Sequence, residues 1–274
     1  MANQLLRLLL HPYPLRTATL GAMRKFDLGS YERRVQLGAV QRPHYGYCVW
    51  NAALLARRLG VPKISVIEFG VAGGNGLVSL EQHALATTEA LGVGIEIYGF
   101  DTGQGLPEPI DFRDLPYHWK SGFFAMDTEA LRNRLDFAQL VLGEVSETLP
   151  TFTDYFDPAP IGVVIQDFDY YSSTVTALQL FDVDERFRMP RIYSYFDDII
   201  GSEVELYNDF TGERLAIAEF NAEHETQKIS KAYHLLAKRV VEPWAHQIFS
   251  VHDFAHSRYN EFMSDEGQQL PLFG

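Results

Sequence analysis

Val66-Ile67-Glu68-Phe69-Gly70-Val71-Ala72-Gly73-Gly74-Asn75-Gly76 is the stretch that decides how this chain folds. A short apolar run, Ile64 to Phe69, carries one acid and then meets four glycines within seven positions. A helix-like stretch, Leu77 to Leu91, follows. In α/β proteins an apolar strand feeding a glycine-rich turn and a helix brings backbone N–H groups close to a nucleotide-like ligand. The glycine spacing selects the ligand. A dinucleotide site needs G-x-G-x-x-G with an acid about 20 residues further on. Here the order is Gly70-x-x-Gly73-Gly74-x-Gly76, and the next acid at a strand end is the more distant Asp101. That spacing suits S-adenosylmethionine better than a nicotinamide cofactor. A tight turn without a ligand is the bland alternative.

Working outward, the spacing predicts a helix over Tyr45 to Leu59, stopped by Gly60 and Pro62. Strands are expected at Ile64–Phe69, Gly94–Phe100, Ala138–Leu142, Ile161–Ile165 and Arg191–Phe196, with a late one near Gln247–His252. The run Ile161–Ile165 is wholly apolar, as a parallel strand covered on both faces must be. Helices are expected from a cap at Asp127 or Thr128 to Leu135, over Ser172–Phe181 and over Glu213–Glu223. A loop rich in proline and aromatics spans Leu106 to Phe124. Strands alternating with helices imply a doubly wound, mostly parallel α/β sheet. The expected organisation is one domain, residues 61–274, preceded by an N-terminal helical extension or lid, residues 1–60.

Bulk properties exclude several classes. Of 274 residues, 46% are apolar, enough for a sizeable core, and the formal net charge is −13. Nucleic-acid binding needs a basic face, and so does an anionic membrane surface. Neither partner is expected; a small neutral acceptor is. Cys48 is the only cysteine, which rules out a disulfide framework and a thiolate metal site. The opening Leu5-Leu6-Arg7-Leu8-Leu9-Leu10 is too short and too interrupted for a membrane span. It reads as a short amphipathic helix packed on the body or on a partner subunit. A cytoplasmic homo-oligomer is the expectation.

Four further segments resemble the macrocin O-methyltransferase family. They are Asp101-Thr102-Gly103-Gln104-Gly105-Leu106-Pro107, Gly143-Glu144-Val145-Ser146-Glu147-Thr148-Leu149-Pro150, Asp167-Phe168-Asp169-Tyr170-Tyr171-Ser172-Ser173-Thr174, and Tyr195-Phe196-Asp197-Asp198. Order and rough spacing match from about residue 64 to 200. The family usually has Asp-Gly-Asp where this chain has Asp167-Phe168-Asp169. The loop before Asp127 and the last 70 or so residues find no clear counterpart. The resemblance implies a seven-stranded Rossmann-like sheet of the class I methyltransferase type. It also implies methyl transfer from S-adenosylmethionine to a sugar or phenolic hydroxyl, as in secondary-metabolite biosynthesis.

By that resemblance Glu68, Gly70, Gly73, Gly74, Asp101 and Asp167 contact the cofactor, Glu68 near its methionine end. Asp101 suits a bidentate hold on the ribose hydroxyls; a turn cap is its alternative role. Adjacent strand ends lie about 4.8 Å apart, so Asp167, Asp169, Asp197 and Asp198 should converge in the ligand crevice. Like charges this close raise each other's pKa unless something positive lies between them. Mg²⁺ or another hard divalent cation is the natural counter-ion. The resemblance assigns Asp167, Asp197 and Asp198 as its ligands and Asp169, alongside Asp167, as catalytic, with Asp169 the base. Alternatively Asp169 caps the helix near Ser172 and Asp198 meets an arginine. His252 and His256, four apart, read as strand and turn rather than as a metal pair. His118, in the aromatic loop, lines the acceptor pocket or acts as a base; a plain surface position is its alternative. Two competing functions stay open, a metal-free methyltransferase and a non-catalytic cofactor binder.

Overall fold

A computed structural model describes residues 13–264 of the chain. The expected amphipathic helix at Leu5–Leu10 lies outside them. Three helices come first: α1 (Pro14–Lys25), α2 (Tyr31–Leu37) and α3 (Pro43–Arg58). The body then alternates β1 (Lys63–Phe69), α4 (Asn75–Leu91), β2 (Gly94–Asp101), α5 (Thr128–Arg132), β3 (Gln139–Leu142), α6 (Val145–Phe156), β4 (Ile161–Gln166), α7 (Tyr171–Leu178) and β5 (Arg188–Phe196). It closes with α8 (Gly212–Glu223), β6 (Gln227–Lys231), α9 (Tyr233–Leu236) and β7 (Ile248–Asp253).

The strands form one seven-stranded sheet in the order β3-β2-β1-β4-β5-β7-β6. The pairings among β1 to β5 are parallel, and β7 runs antiparallel between β5 and β6. Every residue of β4, and all of β1 but Lys63, is buried, as apolar strands covered on both faces require. Strand order reverses between β1 and β4, so a crevice opens beyond their carboxyl ends.

Helix α3 is part of that core, not an appendage. Ten of its residues are buried, among them Tyr45, Cys48, Val49, Ala52 and Ala53. Ala52 packs against the sheet at Gly162, where an added Cβ would come within 3.4 Å of it. The division expected at residue 60 therefore falls through the hydrophobic core. Among the described residues, α1 buries no residue and has the character of an extension. The helix expected to run to Leu135 ends at Arg132; Asp127 does cap it, accepting from the N–H of Ala130 at 3.0 Å. No helix among the described residues is long and apolar enough to cross a membrane.

Candidate active site

The turn after β1 is shaped by steric necessity. Gly70 has φ +81°, and a Cβ there would lie 1.8 Å from the carbonyl oxygen of Asp167. A Cβ on Gly76 would lie 1.8 Å from Glu68 Oε1, and one on Gly74 would meet Leu131 at 2.0 Å. Gly73 is different: a Cβ there meets nothing within 4 Å. The four glycines thus serve three packing contacts and one open stretch of backbone. Opposite the turn, Asp101 ends β2. Its Oδ2 accepts the N–H groups of Val71 and Ala72, each at 2.9 Å, and its Oδ1 accepts that of Gly103 at 2.6 Å. A carboxylate offers about four lone-pair positions, so one remains, on Oδ1. The bidentate hold expected from the sequence is corrected: Asp101 first builds the loop and keeps one acceptor position for a ligand.

A cavity of about 380 Å³ occupies the crevice. Gly70, Ala72, Asp101, Thr102 and the segment Gly143–Val145 line one half. Asp167, Asp169, Asp197 and Asp198 line the other. Two irregular segments cover it, Leu106, Pro107, Trp119 and Phe124 from one arm and Ile200, Glu205 and Tyr207 from the other. The arms meet where the Tyr117 hydroxyl donates to the Glu205 carbonyl at 2.6 Å and His118 Nε2 stands 3.7 Å from the Glu205 carboxylate. Among the described residues, none before Gly70 takes part in this lining. His118 sits at the junction of the arms rather than on the wall.

Three of the expected site residues lie elsewhere. Glu68 is buried beneath the turn, where Tyr45 donates to its Oε1 at 2.7 Å and its Oε2 has no hydrogen-bond partner among the described residues. Burial pushes its carboxyl up to about 7, against the lowering effect of the Tyr45 hydrogen bond. Gly74 packs on Leu131, and the Gly73 carbonyl accepts from Arg134 at 3.3 Å. Glu68 and Gly74 thus shape the turn from behind, and neither they nor Gly73 lines the cavity.

The four aspartates do converge. One carboxylate oxygen from each of Asp167, Asp197 and Asp198 lies within 4.8 Å of the others. Among the described residues no arginine or lysine forms an ion pair with any of the four. Asp198 accepts from Tyr207 Oη at 2.7 Å and from the Asp169 N–H at 2.9 Å, and its own N–H donates to Glu213 at 2.8 Å. The hydroxyl of Tyr195 holds Asp197 Oδ1. Burial and then the charges of Asp197 and Asp198 push Asp167 well above the usual carboxylate range. The same causes bring Asp169 to about 9, and burial plus Asp197 brings Asp198 to about 7. The cluster as it stands is short of positive charge.

Asp169 adopts a left-handed φ of +60° and does not cap the next helix; Asp114, on the arm above, does so instead. His252 bonds to Tyr259 and His256 to the Arg188 carbonyl, so the pair is structural. Glu205, Tyr207, Trp119 and Gly143–Val145 join the expected residues in lining the cavity. For the first two the sequence holds no signal, because an irregular stretch after β5 brings them over the cavity.

No family model matches the chain, and no curated protein matches it. Among solved structures it is similar to the O-methyltransferase NovP, at 16% identity over 77% of this chain and 79% of that one, with a TM-score of 0.52. The fold is that of a class I methyltransferase. Looser likenesses include the calicheamicin methyltransferase CalS11, at 19% identity over 88% and 93% with a TM-score of 0.49. Another is the O-methyltransferase TomG from Streptomyces achromogenes, at 16% identity over 86% and 87% with a TM-score of 0.41.

Proposed function

We propose that the chain is an S-adenosylmethionine-dependent O-methyltransferase, assisted by a divalent cation, that methylates a hydroxyl of a small sugar-bearing or phenolic molecule. One observation carries this reading. The glycine turn with Asp101 and the cluster of four aspartates are two halves of a single cavity at the topological switch point. The NovP-like fold supports it.

The residues fit both absent groups. Gly70 and Ala72 bring bare backbone to the cofactor half, and Asp101 Oδ1 keeps one acceptor position for a ribose hydroxyl. When bound, S-adenosylmethionine would supply the methyl group from its sulfonium to the acceptor oxygen. Asp167, Asp197 and Asp198 would hold a hard cation such as Mg²⁺, which lowers the pKa of a bound hydroxyl. Asp169 lines the same wall without belonging to that ligand trio; with a cation offsetting the charges of Asp198 and Asp197 that help raise its carboxyl, its ionised form would take the hydroxyl proton. Leu106, Pro107, Trp119 and Phe124 would seat a neutral ring and exclude water. Phosphorylated acceptors fit poorly against a net charge of −13.

Calorimetric titration with S-adenosylhomocysteine and with NAD tests the cofactor, and tight NAD binding alone would overturn the reading. Methyl transfer to glycosylated and catechol-like acceptors, with Mg²⁺ or with EDTA, tests the chemistry. Full activity in EDTA would favour the metal-free enzyme.

A further inference from the structure

We infer that Tyr207 is a positioning residue that couples the second covering arm, the stretch after β5, to cation capture; the inference rests on the metal-assisted reading. The three proposed ligands are held very differently. No hydrogen bond from the described residues reaches the Asp167 side chain. Asp197 is held by Tyr195, which belongs to β5 and is therefore fixed by the sheet. Asp198 is held by Tyr207, which belongs to the irregular stretch between β5 and α8. Both tyrosines donate a phenolic hydrogen to a carboxylate, but one sits on a rigid frame and the other on a covering arm.

The Asp198 carboxylate receives one donor on each oxygen, Tyr207 on Oδ1 and the Asp169 N–H on Oδ2. Each oxygen keeps a lone pair, so the two donors set the plane of the group without using up its capacity for a cation. Taking away the Tyr207 donor leaves Asp198 free to turn about the remaining bond. The ring of Tyr207 also lines the cavity, and its arm is tied across to the other arm through Tyr117 and Glu205. An acceptor in the cavity therefore rests against the side chain that orients a cation ligand. By linkage, whatever the acceptor does to cation affinity through this contact, the cation does equally to acceptor affinity.

Calorimetric titration of Mn²⁺, an oxygen-seeking probe, tests this on the full chain and on Tyr207→Phe, which keeps the ring. Groups that orient metal ligands are worth about 10–100-fold in affinity, and a loss of that size is expected. S-adenosylhomocysteine affinity, measured on the same samples, should be unchanged and shows that the variant is folded. If wild type binds Mn²⁺ and Tyr207→Phe binds it within about twofold, the inference is overturned while the metal site stands. If wild type binds no Mn²⁺ under conditions where it binds S-adenosylhomocysteine, both fall.

Discussion

Asp114 accepts both the backbone N–H and the hydroxyl of Ser172, at 2.8 and 3.0 Å. The two residues are 58 positions apart, yet the pair works as a helix cap. Tyr170, at the N-cap of α7, offers no side-chain bond to the helix, so the arm above the cavity supplies one. Asp114 Oδ2 also accepts the N–H of Ile110 at 2.8 Å, and the residue is 1% exposed. One carboxylate thus folds the arm onto itself and clamps it to the helix that follows Asp169.

Asp114→Ala should cost about 2 kcal/mol of stability, the range of a lost cap plus an unsatisfied buried donor. Urea denaturation is the measurement. Asp114→Asn, which keeps an acceptor, should recover part of the loss. A change below about 0.5 kcal/mol in the alanine variant would show that the cap carries little weight.

Asp101→Ala should weaken S-adenosylhomocysteine binding by roughly 1.5–3 kcal/mol, as expected for hydrogen bonds to a charged group. The variant should also lose thermal stability without ligand, because three loop N–H groups lose their acceptor. A purely ligand-contacting role would leave the ligand-free melting temperature where it was. Calorimetry and thermal melts on one preparation separate the two contributions.

Glu68 sets a pH dependence. Its folded pKa, about 7, lies above the unfolded value near 4.3. The native state therefore favours the protonated form, and the associated stability is fully present below about pH 4. That stability is lost as pH rises through 7. At about 1.4 kcal/mol per pKa unit, the loss is on the order of 4 kcal/mol. Glu68→Gln stays neutral and can still accept from Tyr45, so its denaturation midpoint should vary less between pH 4 and 7.5 than that of wild type. Parallel profiles for the two proteins would exclude Glu68 as the source.

Asp169→Asn should lower kcat by 10²–10⁴-fold, the usual contribution of a general base, while leaving Mn²⁺ affinity within a few-fold. Asp197→Asn should weaken Mn²⁺ binding and lower turnover with it. If Asp169→Asn retains full turnover with a methylated product confirmed by mass spectrometry, the proton is taken elsewhere.

Much of the frame was legible in the residues. Strands β1, β2 and β4 stand within about a residue of their expected limits, because uniform apolar runs bounded by glycine, proline or aspartate leave few alternatives. Strand β6 was not legible: in Gln227–Lys231 only Ile229 is buried, so the stretch has too little pattern. Helix α6 carries Pro150 inside it, and its segment was read as a motif rather than as a helix. Convergence of the aspartates followed from sheet topology. The Asp114–Ser172 cap and the Tyr207–Asp198 bond did not, since each depends on where an irregular segment returns to the body. Glu68 was misplaced for a simpler reason: alternation along β1 turns it toward Tyr45 and away from the crevice.

The fit of Gly70 against the Asp167 carbonyl has a practical consequence for redesign. With no room for even one methyl group between them, the donor side and the acid side of the cavity cannot be tuned separately; shifting one drags the other. The arms from residue 106 to 124 and from 200 to 210 touch the acid side and the helix after it through two side chains, Tyr207 on Asp198 and Asp114 on Ser172. Exchanging these two segments together, with Asp114, Tyr207 and the Tyr117–Glu205 link retained, is the route to a new acceptor that leaves the transfer geometry in place.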